Sequence, residues 1–154
     1  MRYLLTFVIA GFLGLAAQAQ DTPVEPAPPV LDVRAAAEAT LDEFLWLNRL
    51  VVVFADTDRD PMFQSQMDLF FDQPAGFVER DVVVIVDTDP ANPSEFREEL
   101  RPRGFGFVLI DKDGQIKLRK PSPWDVREIS RSIDKTDLRQ QELRDMREAD
   151  ADAS

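Results

Sequence analysis

The sequence predicts an α/β fold, a four-stranded mixed sheet of strand order 4-3-1-2 with flanking helices. Three observations carry that prediction. Leu50–Phe54 (Leu-Val-Val-Val-Phe) is an uninterrupted apolar run, mostly β-branched, the pattern of a strand buried on both faces and therefore in mid-sheet. A second such run, Asp81–Val86, follows a stretch of helical period, which is the layout of two parallel strands joined by a right-handed crossover. Phe105–Ile110 and Ile116–Arg119 are separated by Asp111-Lys112-Asp113-Gly114, a hairpin turn in which Gly114 is free to take positive φ.

Taken in order, residues 1–19 read as an export signal: Arg2 gives a positive start, Leu4–Ala16 an apolar core, and Ala17-Gln18-Ala19 a small-x-small cleavage site. Residues 20–32, with Pro23, Pro26, Pro28 and Pro29, read as an extended Pro/Ala-rich linker. The folded domain is expected over 33–137. Arg34–Ala39 is alanine-rich and helical in character. Thr40-Leu41-Asp42-Glu43 matches a capping box for a short helix, Leu41–Leu47, that turns Phe44, Leu45 and Leu47 inward.

After the central strand, Asp60 caps a helix whose first position is Pro61, where no amide donor is needed. Phe63, Met67, Phe70 and Phe71 fall on one apolar face, and Pro74-Ala75-Gly76 ends or kinks the helix. Asn92-Pro93-Ser94-Glu95 repeats the cap-then-proline device for a helix carrying Phe96 and Leu100. Ser122-Pro123 opens another with Val126, Ile129 and Ile133 inward. Residues 138–154 are highly charged, with only Leu138, Leu143 and Met146 to dock, and read as a partly docked helix fraying into an acidic tail. Strand–helix–strand–helix–strand–turn–strand–helix is a minimal thioredoxin-like order with the first strand central.

Composition removes whole classes of chemistry. With no Cys there is no disulfide, thiol nucleophile, CxxC pair or thiolate metal site, and with no His there is no imidazole base or His-ligated metal. A formal charge of −11 argues against nucleic acid and anionic lipid as partners. No membrane association is expected once the signal is cleaved, and no cofactor is expected. The expected compartment is periplasmic or extracellular.

Leu41–Leu50 leading into Val51–Phe54, then Phe107–Ile110 with Lys112-Asp113-Gly114 and Lys117-Leu118-Arg119, then Arg139-Gln140-Gln141-Glu142, resemble in that order the segments of bacterial domain-of-unknown-function family 4174 (DUF4174). The resemblance spans about Leu41 to Arg144 and implies a thioredoxin- or peroxiredoxin-like fold, with related domains in secreted animal matrix proteins. It implies no activity. The loop that carries cysteines in redox-active thioredoxins reads Thr57-Asp58-Arg59-Asp60 here, and Gly104 or Gly106 stands where a cis-proline is usual. Thiol exchange and peroxide reduction are therefore chemically excluded.

Candidate site residues cluster where ligands collect in open α/β sheets, at the carboxyl ends of the strands. Asp56-Thr57-Asp58 resembles the nucleophile segment of haloacid-dehalogenase phosphatases, although Arg59 stands where Gly or Thr is usual; helix capping by the same carboxylates is the plainer reading. If the first two strands are adjacent, Asp56, Asp58, Asp87 and Asp89 share one edge. Their mutual repulsion could be relieved by a divalent cation, or simply by solvent. Trp46 and Arg49 flank the entrance of the central strand, Trp46 as a core or rim anchor or as a ligand platform. Lys112, Lys117, Arg119 and Lys120 make the hairpin the one basic feature, read as edge-strand protection against aggregation rather than as a dock for an acidic partner.

The favoured function is a non-redox binding or interaction module for an unknown protein or small ligand. Its surface would join the Asp56–Asp60 loop (Asp56, Asp58, Arg59) to Arg101–Gly106 (Arg101, Arg103), with Trp46 and Arg49 as further candidates. The alternative is a carboxylate- and magnesium-dependent phosphohydrolase using Asp56 and Asp58.

Overall fold

The computed structural model describes residues 27–153; the expected signal and most of the expected linker lie outside them. The sheet has five strands: β1 (Asp32–Ala35), β2 (Arg49–Phe54), β3 (Val82–Asp87), β4 (Gly106–Ile110) and β5 (Ile116–Lys120), in the order β1-β3-β2-β4-β5. It is mixed, as expected: β1 and β2 both run parallel to β3, whereas β4 is antiparallel to β2 and to β5. The number and order differ from the four strands and 4-3-1-2 of the sequence reading, because β1 is added outside β3. All four β1 side chains are exposed, so no apolar pattern marks the segment as a strand; its backbone is recruited by the edge of β3.

Every residue of β2 is buried, and alternation splits them between two cores. Val51 and Val53 face one side together with Val82, Val84, Phe107 and Leu109. There they meet α1 (Pro61–Asp72), α2 (Ala75–Val78) and α4 (Val126–Asp134) through Met67, Phe70, Phe77, Ile129 and Ile133. Leu50, Val52 and Phe54 face the other side with Val83, Ile85, Val108 and Ile110, covered by α3 (Glu95–Leu100) through Phe96 and Leu100 and by Phe44. The product is a three-layer helix–sheet–helix sandwich. Among the described residues no helix is long and apolar enough to cross a membrane.

The helix starts separate what chain-local chemistry specifies from what it does not. Asp60 caps α1 as expected, its Oδ1 accepting from the Met62 and Phe63 amides at 2.8 and 3.3 Å with Pro61 at the first turn. Elsewhere the cap lies after the proline rather than before it: Ser94 caps α3 and Asp125 caps α4, each accepting an amide hydrogen bond from three residues on. The segment expected as helix over Arg34–Ala39 divides between β1 and a 3-10 turn at Ala36–Glu38, and the helix expected over Leu41–Leu47 shortens to a 3-10 turn at Asp42–Phe44. Half of the capping box forms: Glu43 Oε2 accepts from the Thr40 amide at 2.6 Å, while the Thr40 hydroxyl donates to the same oxygen rather than capping a turn.

Phe44 is buried, but Leu45 and Leu47 are exposed, because Trp46 turns the chain outward with a positive φ of 63°. Phe71 also departs from expectation and lies in solvent, at 57% exposure, beside a fully buried Phe70. The charged C-terminal segment is an ordered helix, α5 (Asp137–Asp152), capped by Thr136.

Candidate functional site

The loop leaving β2 is a capping turn. Asp56, Thr57, Asp58 and Arg59 are exposed; the Thr57 hydroxyl donates to Asp58 Oδ1 at 3.2 Å and accepts from the Arg59 amide at 3.3 Å. Asp87, at the matching end of β3, is buried and engaged. Its Oδ1 accepts from Arg97 Nε and Nη2 at 2.9 and 2.7 Å, and its Oδ2 from the Ser94 hydroxyl at 2.5 Å. Arg97 Nη2 also donates to the carbonyls of Ala55 and Asp87, so one guanidinium seals the ends of both strands. Asp89 is exposed, and the hydrogen bond from the Asn92 side-chain amide holds its carboxyl below the usual range. The four aspartates share one end of the sheet without converging: among the described residues no group of three or more acidic side chains could hold a metal ion.

Arg49 lies at the opposite end of β2 and is completely buried, not aimed at a ligand. Its Nε is 2.9 Å from Asp111 Oδ1, and its Nη2 donates to Glu142 Oε1 of α5 at 3.1 Å. Lys112 and Arg139 reach the same Glu142 carboxylate, both at 3.0 Å. Burial alone would raise the Glu142 carboxyl, but the hydrogen bonds from Arg49, Lys112 and Arg139 prevail and hold it down at about 2. A carboxyl with a depressed folded-state value stabilises the fold above its unfolded value of 4.5 and loses that contribution as pH falls towards 2. Thermal unfolding followed from pH 6 downward is therefore expected to lose stability between about pH 4.5 and 2, and Glu142→Gln to flatten that acid limb. An unchanged limb in the variant would remove Glu142 from the role.

Trp46 is 67% exposed, so it is neither core nor rim anchor; its amide donates to the Lys112 carbonyl at 2.7 Å, which holds the turn.

The groove that does form lies where the chain passes from α3 into β4. Arg101 closes α3 in the left-handed conformation, φ 47° and ψ 59°, and Gly104 follows with φ 62°. These reversals carry Arg101-Pro102-Arg103 over a cavity of about 220 Å³ whose walls include Phe54, Phe105, Phe107, Arg119, Lys120 and Pro121. Gly106 lets the wall close, since a Cβ there would stand 3.1 Å from the Lys120 carbonyl. Arg119 spends one Nη1–H on the Leu100 carbonyl at 2.9 Å, and Lys120 Nζ sits 3.9 Å over the Trp124 ring. Arg101 and Arg103 are exposed, and among the described residues their side chains have no ion-pair or hydrogen-bond partner.

Of the candidates from sequence, then, Arg101 and Arg103 meet in one groove, joined by the hairpin residues Arg119 and Lys120. Asp56, Asp58 and Arg59 do not line it, and Trp46 and Arg49 lie elsewhere. The signal that could have revealed the groove was the basic β5 pattern taken together with Arg101 and Arg103; only the packing of the segment between α3 and β4 against β5 shows that they converge. Asp111, Arg97 and Glu142 carried no local signal, because their partners are remote.

A family profile described as a domain of unknown function (DUF4174) matches residues 40–142. Coiled-coil domain-containing protein 80 of Danio rerio is 29% identical over 136 residues, covering 69% of this chain but 16% of that protein; the chain thus spans about a sixth of that relative's length. Among solved structures, the reduced 2-Cys peroxiredoxin of Plasmodium vivax aligns with a TM-score of 0.52 at 17% identity, covering 62% of this chain and 81% of that one. A chloroplastic thioredoxin z aligns with a TM-score of 0.51 at 19% identity, covering 68% and 93%. These likenesses establish a thioredoxin-like fold.

Proposed function

This chain belongs to the DUF4174 family, and from that premise we propose that it is an exported, non-redox thioredoxin-like binding module whose site is the groove beneath Arg101–Gly106. Export rests on the charged start, apolar core and Ala17-Gln18-Ala19 cleavage pattern of the first 19 residues, and places the module in the periplasm or outside the cell. The non-redox character follows from a chain with no cysteine.

The observation that carries the binding role is charge placement. On a protein of net charge −11, the basic residues Arg101, Arg103, Arg119 and Lys120 line one part-aromatic cavity, and the side chains of Arg101 and Arg103 are unpaired among the described residues. Cations held near one another without carboxylates repel, and an anion relieves that repulsion while the phenylalanines accept its apolar body. The cavity is smaller than the roughly 300–1,000 Å³ of pockets for drug-sized ligands. A carboxylate carrying one ring or one branched chain fits that size and charge. The carboxylates at 56 and 58 gather no third acidic partner for a metal, and no observation favours the phosphohydrolase reading.

Phenylacetate titrated into the protein is expected to move the backbone amide resonances of Arg101–Phe107 and Arg119–Pro121. Phenylacetamide, matched in shape and uncharged, is expected to leave them in place, as is phenylacetate with the double variant Arg101→Ala, Arg103→Ala. No response, or one scattered over the surface, would overturn the groove as a site.

A further inference from the structure

We propose that the groove takes an extended acidic peptide, which adds as a strand to β5 and seats one apolar side chain in the cavity. This rests on the groove reading above and names its ligand. The inference comes from the juxtaposition of two features that act separately in most sheets. β5 is the last strand of the sheet, so among the described residues one side of its backbone pairs with β4 and the other with no strand. The same strand supplies Arg119 and Lys120 to the cavity wall, so a chain paired along that edge runs beside the cavity.

The charges select the chemistry of the occupant. β5 reads Ile116-Lys117-Leu118-Arg119-Lys120 and carries no acidic residue, and Arg101 and Arg103 add two further cations at its carboxyl end. Protection of an edge against self-pairing asks only for charge on the strand. It does not ask for two more arginines, without partners among the described residues, to be presented from a left-handed turn beside it. Four basic residues gathered on a protein of net charge −11 make this cluster a local attractor for acidic segments, which the net charge of the chain otherwise disfavours. The phenylalanine-lined cavity, sized for a single side chain, then gives the peptide an anchor between its carboxylates. Ile116, 44% exposed at the far end of the strand, offers a second apolar contact along the same line.

The experiment uses the purified chain and a peptide with blocked ends that alternates glutamate with valine around a central phenylalanine. Binding is expected, with added amide hydrogen-exchange protection confined to Ile116–Lys120, and is expected to weaken at least about tenfold between low and physiological salt. Arg103→Glu, a change at an exposed position, is expected to weaken it by a similar factor. The same peptide N-methylated at alternate residues keeps its carboxylates but loses its strand hydrogen bonds, and is expected to bind at least tenfold more weakly. Equal affinity of the methylated peptide, or equal response to inorganic tripolyphosphate without protection of β5, would overturn strand addition. If phenylacetate binds and the peptide does not, the groove reading stands and this one falls; if neither binds, both fall.

Discussion

Replacing Arg49 with alanine is expected to lower the unfolding free energy by about 3–5 kcal/mol, the magnitude for removing one partner of a buried ion pair. The Arg49 side chain is 0% exposed and that of its partner Asp111 1% exposed, so the carboxylate left behind can neither hydrate nor find another cation at Nε distance. Arg49 also donates to the Arg80 carbonyl at 3.0 Å and to Glu142, so the loss reaches both α5 and the turn before β3. The pair variant Arg49→Met, Asp111→Leu removes both charges while keeping apolar volume, and is expected to recover most of the loss. Urea unfolding of the single and double variants checks this: a single variant within about 0.5 kcal/mol of the parent would show that the interior charge is solvated or otherwise compensated.

Phe70→Ala is expected to cost about 3–5 kcal/mol, whereas Phe71→Ala is expected to stay within about 0.5 kcal/mol of the parent. The two residues are adjacent and chemically identical, which makes the contrast a direct reading of burial. Phe70 is 0% exposed and its ring lies 4.9 Å from that of Phe77, so truncation opens a cavity between α1 and α2 and removes an aromatic pair. Phe71 is 57% exposed. Equal losses for both variants would mean that α1 is rotated from the orientation described. Phe71 would then belong to the core face, as its sequence spacing had suggested.

The difference between those phenylalanines shows how far helical spacing reaches. Met67 and Phe70 both lie on the buried face, and the spacing of Phe71 puts it at the border of that face, where a neighbouring element decides which way the side chain falls. The same holds for Trp46: its sequence environment resembles a short amphipathic helix, but the turn closes early, and the hydrogen bond to Lys112 from the distant hairpin sets a conformation that points it outward. β1 was unreadable for the opposite reason. Its side chains touch little, and it is a strand because the backbone of β3 offers a ladder, which no pattern within Asp32–Ala35 could report.

By itself the sequence determined the features that depend on neighbours along the chain and on composition. These were the buried runs of β2 and β3, the hairpin at Gly114, the Asp60–Pro61 helix start, the α/β class, and the exclusion of thiol and imidazole chemistry. Only the tertiary structure decided which charges are satisfied and which are offered to solvent. Arg49 and Glu142, 93 residues apart, became an interior clamp, and Asp87 was claimed by Arg97. Arg101 and Arg103 were brought to line one cavity with Arg119 and Lys120. Hydrophobic period and capping act within a few residues and leave a trace in the linear order. Electrostatic pairing acts through space between segments brought together by folding, and the fate of a charge is therefore written in the packing of the sheet and not in its own neighbourhood.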